Sequence, residues 1–273
     1  MMIEKFIYQT RLLLESRKKK RSLKQLEKKL PGPAVRSMID SLKKKSFALI
    51  AEVKKASPSA GVICKLYQPE ILASLYEEQG ARGISVLTCP YLFRGSLQHL
   101  MKVRSAVQLP VLRKDFLLDN YQILESRVYG ADTVLLIARI LSPQKLKEFS
   151  QLAIELGMEV LVEVHKEEEL ASVLKLDLWD KCLLGINNRD LDTLKIDLQV
   201  SFNLIKKIPC DRISVISASG VTDQTQLVRL AEAGFKGALV GTSILKAEDT
   251  GRYLRQLVKS VDGKNYCLTQ ERE

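Results

Sequence analysis

Phe47-Ala48-Leu49-Ile50-Ala51-Glu52-Val53-Lys54-Lys55-Ala56-Ser57-Pro58-Ser59-Ala60-Gly61 runs from an apolar stretch into a charged end and then directly into a turn. Residues 47–53 read as a buried strand whose far end becomes polar. Alternate side chains of a strand share a face, so Ile50, Glu52 and Lys54 point the same way, with Glu52 and Lys54 about 7 Å apart. A carboxylate and an ammonium at the end of a core strand are costly unless they pair or do chemistry. Taken alone, the segment fits two readings, an ion pair on a strand rim and a catalytic pair.

Working outward, the same unit recurs. Candidate strands are Phe47–Val53, Gly83–Leu87, Val111–Lys114, Thr133–Ile137, Glu159–Val164, Cys182–Ile186, Ile213–Ser217 and Gly237–Val240. Helical patterns lie between them at Pro69–Glu78, Leu97–Val107, Asp119–Tyr129, Pro143–Leu156, Lys166–Leu174, Leu198–Lys207, Asp223–Ala233 and Thr250–Lys259. Near-continuous apolar strands alternating with helices are what a fully buried parallel sheet requires. Eight such units fit a closed α/β (β/α)8 TIM barrel better than an open doubly wound sheet, and no GxGxxG or P-loop follows any strand. Gly80, Gly130, Gly157 and Gly234 stand where helix ends need a left-handed residue.

Before the first strand, apolar positions from Ile3 to Leu30 keep a broadly helical spacing, and Pro31-Gly32-Pro33 interrupts it. Residues 1–46 are therefore expected to form an N-terminal helical extension packed on the barrel of residues 47–262, with 263–273 as a C-terminal tail. A length of 273 residues suits one barrel with an extension.

Composition narrows the function classes. No apolar run approaches the ~18 residues that span a bilayer, and the charges in MMIEKFIYQT disagree with a signal peptide. Cys64, Cys89, Cys182, Cys210 and Cys267 are scattered without a CxxC pair, and the only histidines are His99 and His165. A reducing cytoplasm and no metal site are expected. The net charge of +11 is concentrated before Ala48, in Arg17 to Arg21, Lys24, Lys28-Lys29 and Lys43 to Lys45. That segment lacks the interleaved aromatics on which bases stack, so a solvated basic face is favoured over nucleic-acid binding. A monomer is the expected state.

Barrels of this kind build their sites at the C-terminal strand ends. Those ends carry Glu52 and Lys54, Thr88, Lys114 and Asp115, Arg139, Glu163 and His165, Asn187 to Arg189, Ser217 with Ser219-Gly220, and Gly241-Thr242-Ser243. Nearly every strand is thus expected to direct a polar group into one mouth. Ser219-Gly220 and Gly241-Thr242 place small residues and backbone amides after the seventh and eighth strands, an arrangement suited to phosphate. Lys54 and Lys114, from the neighbouring first and third strands, with Glu52 and Glu163, suit proton transfer on a phosphorylated sugar, or a Schiff base on one lysine. Spacing leaves both open.

Ile50 to Ser59, Val86-Leu87-Thr88, Phe93-Arg94-Gly95-Ser96, Arg113-Lys114-Asp115-Phe116, Glu163-Val164-His165 and Gly185 to Leu191 together resemble the indole-3-glycerol-phosphate synthase family of tryptophan biosynthesis. The resemblance covers most of the chain. It implies a lyase that closes 1-(2-carboxyphenylamino)-1-deoxyribulose 5-phosphate to indole-3-glycerol phosphate with loss of CO2 and water, without cofactor or metal. By motif, Lys114 resembles the general acid and Glu163 an acid or base of the dehydration. Glu52 and Lys54 would complete proton transfer, Lys54 also facing the substrate carboxylate. Ser57, Ser219, Gly220, Gly241 and Thr242 resemble phosphate ligands, Asn187 and Arg189 positioning groups, and Phe93 and Phe116 walls around the anthranilate ring.

Two positions depart from the family pattern. Ser217-Ala218-Ser219-Gly220 has alanine where the family usually carries glutamate, and Cys89 follows Thr88 where aspartate is common. The loss at Ala218 predicts a slower enzyme or one retuned to a modified anthranilate, and Cys89 reads as a loop substitution, since no histidine is placed to activate it. Competing readings are another phosphate-binding barrel, such as phosphoribosylanthranilate isomerase or a tryptophan synthase α subunit, a weakly active or inactive barrel that binds a sugar phosphate, and an RNA-binding protein acting through residues 1–46.

Overall fold

A computed structural model describes residues 2–58, 61–64, 66–176, 179–209 and 212–263. Ser59, Cys210, Cys267 and the tail from 264 lie outside the described residues. Strands β1 (Ala48–Val53), β2 (Gly83–Leu87), β3 (Val111–Lys114), β4 (Thr133–Ile137), β5 (Glu159–Val164), β6 (Cys182–Asn187), β7 (Val215–Ala218) and β8 (Gly237–Val240) pair in parallel. Each bonds to the next, and β1 closes on β8, so the sheet is a closed barrel. Ile50 lies opposite Leu239 on one side and Gly83 on the other. The expected (β/α)8 barrel is borne out. One correction concerns the lysines: β2 stands between β1 and β3, so Lys54 and Lys114 do not come from adjacent strands.

Helices α1 (Met2–Lys20), α2 (Leu23–Glu27) and α3 (Met38–Lys43) precede the barrel. The rest are α4 (Pro69–Glu78), α5 (Pro90–Phe93), α6 (Leu97–Ala106), α7 (Asn120–Val128), α8 (Pro143–Glu155), α9 (Glu167–Val173), α10 (Gln199–Leu204), α11 (Gln224–Glu232), α12 (Thr242–Lys246) and α13 (Thr250–Val261). The short helices α5 and α12, and a ribbon pairing Ala56–Ser57 with Gly61–Val62, went unread in the sequence because four or five residues cannot display a period. Gly80, Gly130, Gly157 and Gly234 end α4, α7, α8 and α11 with φ of +95°, +85°, +82° and +97°, as expected.

Strand alternation divides the core in two. Ile50, Leu112, Leu135, Leu161, Ile216 and Leu239 fill the barrel, while Leu49, Ala51 and Val53 face the surrounding helices. The extension touches both ends of the barrel. Ile3 and Phe6 of α1 are buried against the same interior cluster as Phe116 and Leu191 near the mouth. Farther along, Arg17 pairs with Glu125 at 3.0 Å and Lys18 with Asp119 at 2.8 Å, both beside α7. The chain then reaches the strand beginnings, where Arg36 donates to the Val107 and Leu109 carbonyls at 2.6 and 3.2 Å.

Helix α3 plugs the base. Glu159, the first residue of β5 and 3% exposed, accepts from Ser37 Oγ at 2.5 Å and from the Met38 and Ile39 amides at 2.7 and 3.0 Å. A carboxylate at a helix N-terminus meets amides that have no partner within the helix. Met38 is fully buried beside Gly83, where a Cβ would come within 2.4 Å of its sulfur.

Candidate active site

The C-terminal strand ends surround a cavity of about 480 Å³. Every residue singled out for the site lines it: Glu52, Lys54, Ser57, Phe93, Lys114, Phe116, Glu163, Asn187, Arg189, Ser219, Gly220, Gly241 and Thr242. The floor is apolar, formed by Leu135, Ile137 and Leu239, and the polar groups stand on it in pairs.

One pair is Lys54 and Glu52, with Nζ 2.6 Å from Oε1 and both side chains under a tenth exposed. Gly241 presses against this pair, because a Cβ there would meet Glu52 Oε1 at 2.6 Å and Lys54 Nζ at 3.1 Å. The second pair is Lys114 and Glu163, with Nζ 3.0 Å from Oε2. Glu163 Oε1 accepts from Asn187 Nδ2 at 3.0 Å, and Asn187 Oδ1 in turn accepts the Arg189 amide at 3.0 Å. Burial pushes the Glu163 carboxyl up, yet Lys114, His165 and Asn187 outweigh it and hold the group below the usual carboxylate range. Glu163 is therefore anionic at neutral pH. Burial draws the Arg189 guanidinium down, opposed by Glu52.

Opposite these pairs, Ser219 and Gly220 both take left-handed conformations, with φ of +66° and +91°. A tight turn of this kind exposes backbone amides of the sort that anions bind. Asn188 Nδ2 holds this loop by donating to Ser217 Oγ, the Ala218 carbonyl and the Ser219 carbonyl at 3.0, 3.0 and 2.9 Å. Ser243 Oγ donates to the Val221 carbonyl at 2.8 Å, tying the loops after β7 and β8 together.

Six of the eight strand ends send a polar group into the mouth as expected, while β2 and β4 present Leu87 with Cys89 and Ile137 instead. Thr88, Arg139, His165, Asn188 and Ser217 do not line the cavity. Thr88 Oγ1 donates to Asp115 at 2.6 Å, and both bind Arg113, a fully buried guanidinium that also meets Glu125 at 3.1 Å. Asp115 reaches the cavity edge with its carboxylate committed to that network. Arg139 pairs with Asp190 at 3.2 Å and with Asp192. Strand parity carried the signal for three of these positions. Leu87, Asn187 and Ala218 face inward, so Thr88, Asn188 and Ser217 must face away.

Phe6 and Lys246 are among the lining residues that went unread. Phe6, from the extension, stacks on Phe116 with ring centroids 5.6 Å apart. Lys246 enters from α12, and its spacing of four residues from Thr242 places both on one helix face. Ala218 is 1% exposed and sits in the interior cluster with Ile216 and Leu239, so an apolar methyl stands where the motif resemblance leads us to expect a carboxylate. Cys89 is buried, and burial, with Asp115 nearby, pushes its thiol up to about 12. Such a thiol is no nucleophile at neutral pH, which agrees with a loop substitution. Among the described residues, no cluster of three or more His, Cys, Asp or Glu could hold a metal ion, and no helix is long and apolar enough to cross a membrane.

Fold and site together define a (β/α)8-barrel enzyme with paired lysines and carboxylates at a single polar mouth. The family model described as indole-3-glycerol phosphate synthase matches residues 3–257. An indole-3-glycerol phosphate synthase of Salinibacter ruber is 41% identical over 272 residues, 98% of each chain. That of Rhodopirellula baltica is 50% identical over 201 residues, 74% of this chain and 76% of the other. Solved structures share the fold at low identity: 3-hexulose-6-phosphate synthase from Salmonella typhimurium has a TM-score of 0.64 at 13% identity, covering 79% of this chain and 98% of that one. Thiamine phosphate pyrophosphorylase from Pyrococcus furiosus has a TM-score of 0.57 at 16% identity, covering 80% and 97%. The chain belongs to the indole-3-glycerol phosphate synthase family, as its motifs indicated, and the lyase reading in tryptophan biosynthesis goes with that membership.

Proposed function

We propose that this chain closes the indole ring of 1-(2-carboxyphenylamino)-1-deoxyribulose 5-phosphate, using the two lysine–carboxylate pairs as its proton-transfer machinery. The observation that carries the assignment is the contact of Lys114 with Glu163, aligned by Asn187. An ammonium held by a buried carboxylate is a poised donor, and the carboxylate left charged is a poised acceptor. Lys114 protonates the ketone oxygen as the aromatic ring attacks its carbon. The ring–carboxylate bond then breaks and CO2 leaves. Glu163 serves the dehydration that follows, and Glu52 with Lys54 completes the proton transfers, Lys54 facing the substrate carboxylate.

The phosphate is assigned to Ser57, Ser219, Gly220, Gly241 and Thr242, where amides and hydroxyls converge beside Lys246. Phe93 and Phe116 enclose the anthranilate ring, joined by Phe6, and Asn187 and Arg189 orient the substrate. No cofactor or metal enters this scheme. The scheme takes residues 1–46 as an extension of the 47–262 barrel and the protein as a cytoplasmic monomer. Arg17, Lys18 and Arg21 are engaged by Glu125, Asp119 and Tyr129, which supports a structural role for the basic segment over nucleic-acid binding.

The test is turnover of the carboxyphenylamino substrate, followed by the fluorescence of indole-3-glycerol phosphate. Lys114→Ala is expected to lower kcat by about a thousandfold, the usual scale for a general acid. A wild-type rate no better than that variant's would overturn the assignment and favour a binding-only barrel.

A further inference from the structure

Ring closure with decarboxylation consumes a proton. The ketone oxygen gains one proton on becoming a hydroxyl and a second on leaving as water, and one proton is lost from the carbon beside the nitrogen. Each turnover therefore draws one net proton from solvent, balancing the carboxylate that departs as neutral CO2. The groups that would deliver it lie deep: the Glu163 side chain is 2% exposed and that of Lys114 15%.

Behind Glu163 stands a group that the catalytic scheme does not use. His165 follows two residues later, off the end of β5, and its side chain is 3% exposed. Its Nε2 lies 3.5 Å from Glu163 Oε1 and its Nδ1 3.4 Å from Glu169 Oε2. Among the described residues, neither ring nitrogen has a hydrogen-bond partner. A buried imidazole with both nitrogens uncommitted is costly, and here each nitrogen has a carboxylate oxygen within 3.5 Å. Glu169, on the first turn of α9, is 14% exposed in its side chain and also accepts the His165 amide at 2.7 Å, which fixes the spacing. The charged groups facing the imidazole are Glu163 on its own strand and Glu169 on α9. Beyond them stand Lys114 on β3 and Arg139, from the turn after β4.

We propose that His165 relays the proton consumed in each turnover, from Glu169 at the outer face through the imidazole to Glu163 and Lys114. The step is a double transfer: Glu169 takes up a proton from solvent and passes it to Nδ1, Nε2 gives one to Glu163, and the imidazole keeps its proton count with its tautomer exchanged, which a flip of the ring resets before the next turnover. A turn of the ring that aligns either N–H with its carboxylate and shortens the contact by under about 1 Å makes a hydrogen bond. His165 is thus a relay and positioning residue, outside contact with the substrate. The inference rests on the proton-transfer role of Glu163.

The experiment compares His165→Ala, Glu169→Gln and Glu163→Gln in the full chain, after thermal unfolding has established that each is folded. His165→Ala is expected to lower kcat about tenfold to a hundredfold with KM changed less than about threefold. The deficit should widen from pH 6 to pH 9, as free protons become scarcer, and added imidazole should recover part of kcat. A His165→Ala kcat within twofold of wild type across that range overturns the relay. So does a loss that is the same at every pH and indifferent to imidazole, because packing alone would produce it. If His165→Ala does not fold, Glu169→Gln decides by the same pH profile, since its amide oxygen can still accept the His165 amide. A Glu163→Gln variant at wild-type rate would instead overturn the underlying assignment of Glu163, whereas an impaired one beside a normal His165→Ala would remove only the relay.

Discussion

Gly241 and the Glu52 carboxylate are packed so closely that a methyl group on Gly241 would stand 2.6 Å from Oε1. The same methyl would lie 3.1 Å from Lys54 Nζ, so the loop after β8 and the pair at the end of β1 fit only in the absence of a side chain. The loop after β8, to which we assign the phosphate, and the Glu52–Lys54 pair are thereby fixed to one another. Gly241→Ala should force Glu52 and Lys54 apart and lower kcat/KM about a hundredfold, with kcat and KM both affected. Steady-state kinetics checks this, and a change below about threefold would refute it.

Lys114, His165 and Asn187 hold Glu163 below the usual carboxylate range. A depressed acid stays charged until the pH falls through its folded-state pKa. The acid limb of kcat/KM should therefore lie below the ~4.3 of an ordinary glutamate. Asn187→Ala removes one stabilising bond to the anion and should move that limb upward. The stability contributed by the Glu163 pair follows the same sign: present above the unfolded-state value and lost as the pH falls through the folded one.

Ala218 occupies the inward position in register with Asn187 on one side and Leu239 on the other. Ala218→Glu would restore a carboxylate inside the mouth, across from Lys114 and Lys54. We expect kcat to rise about tenfold, about 1.4 kcal/mol of barrier, with the original substrate. An unchanged or lower rate would mean that the four remaining groups suffice.

Much of this site was legible from the period-2 reading of the strands. Ile50, Glu52 and Lys54 share the inward face as alternation requires, and position at the C-terminal strand ends placed Glu163 and Lys114 in the mouth. The reading went wrong where parity was set aside in favour of chemistry: Thr88, Asn188 and Ser217 are polar and sit at strand ends, yet they face outward to brace Arg113 and the loop at Ser219. Arg113 itself was hidden because a lone arginine in a strand gives no hint of the Asp115 and Glu125 that neutralise it. Phe6 was hidden by distance, since nothing local ties residue 6 to residue 116. The left-handed turn at Ser219 was equally unreadable, because a serine rarely adopts it and bonds from the distant Asn188 side chain help hold it there.

Glu159 caps α3 with three hydrogen bonds at the base. Glu159→Ala would strand the Met38 and Ile39 amides in a buried setting, where each unsatisfied donor costs about 1–3 kcal/mol. A loss of about 3 kcal/mol in urea unfolding is expected, with the catalytic pH profile unchanged. A loss under 1 kcal/mol would show that α3 is held by its apolar face alone.

Phe6→Ala removes one wall of the cavity and the ring contact with Phe116. KM should rise about fivefold, about 1 kcal/mol of lost apolar contact, with kcat changed less than twofold. A kcat effect larger than the KM effect would place Phe6 closer to the reacting atoms than its position on α1 suggests.

The first forty-odd residues therefore clasp the barrel at both poles, Phe6 at one and the Ser37–Ile39 turn at the other. A chain cut to begin at Phe47 would keep all eight strands and still lose a wall of its pocket and the stopper of its base in one stroke. We therefore expect the smallest autonomous unit of this protein to be larger than its barrel, so that a transplant of the strands into another scaffold would have to carry the clasp with them.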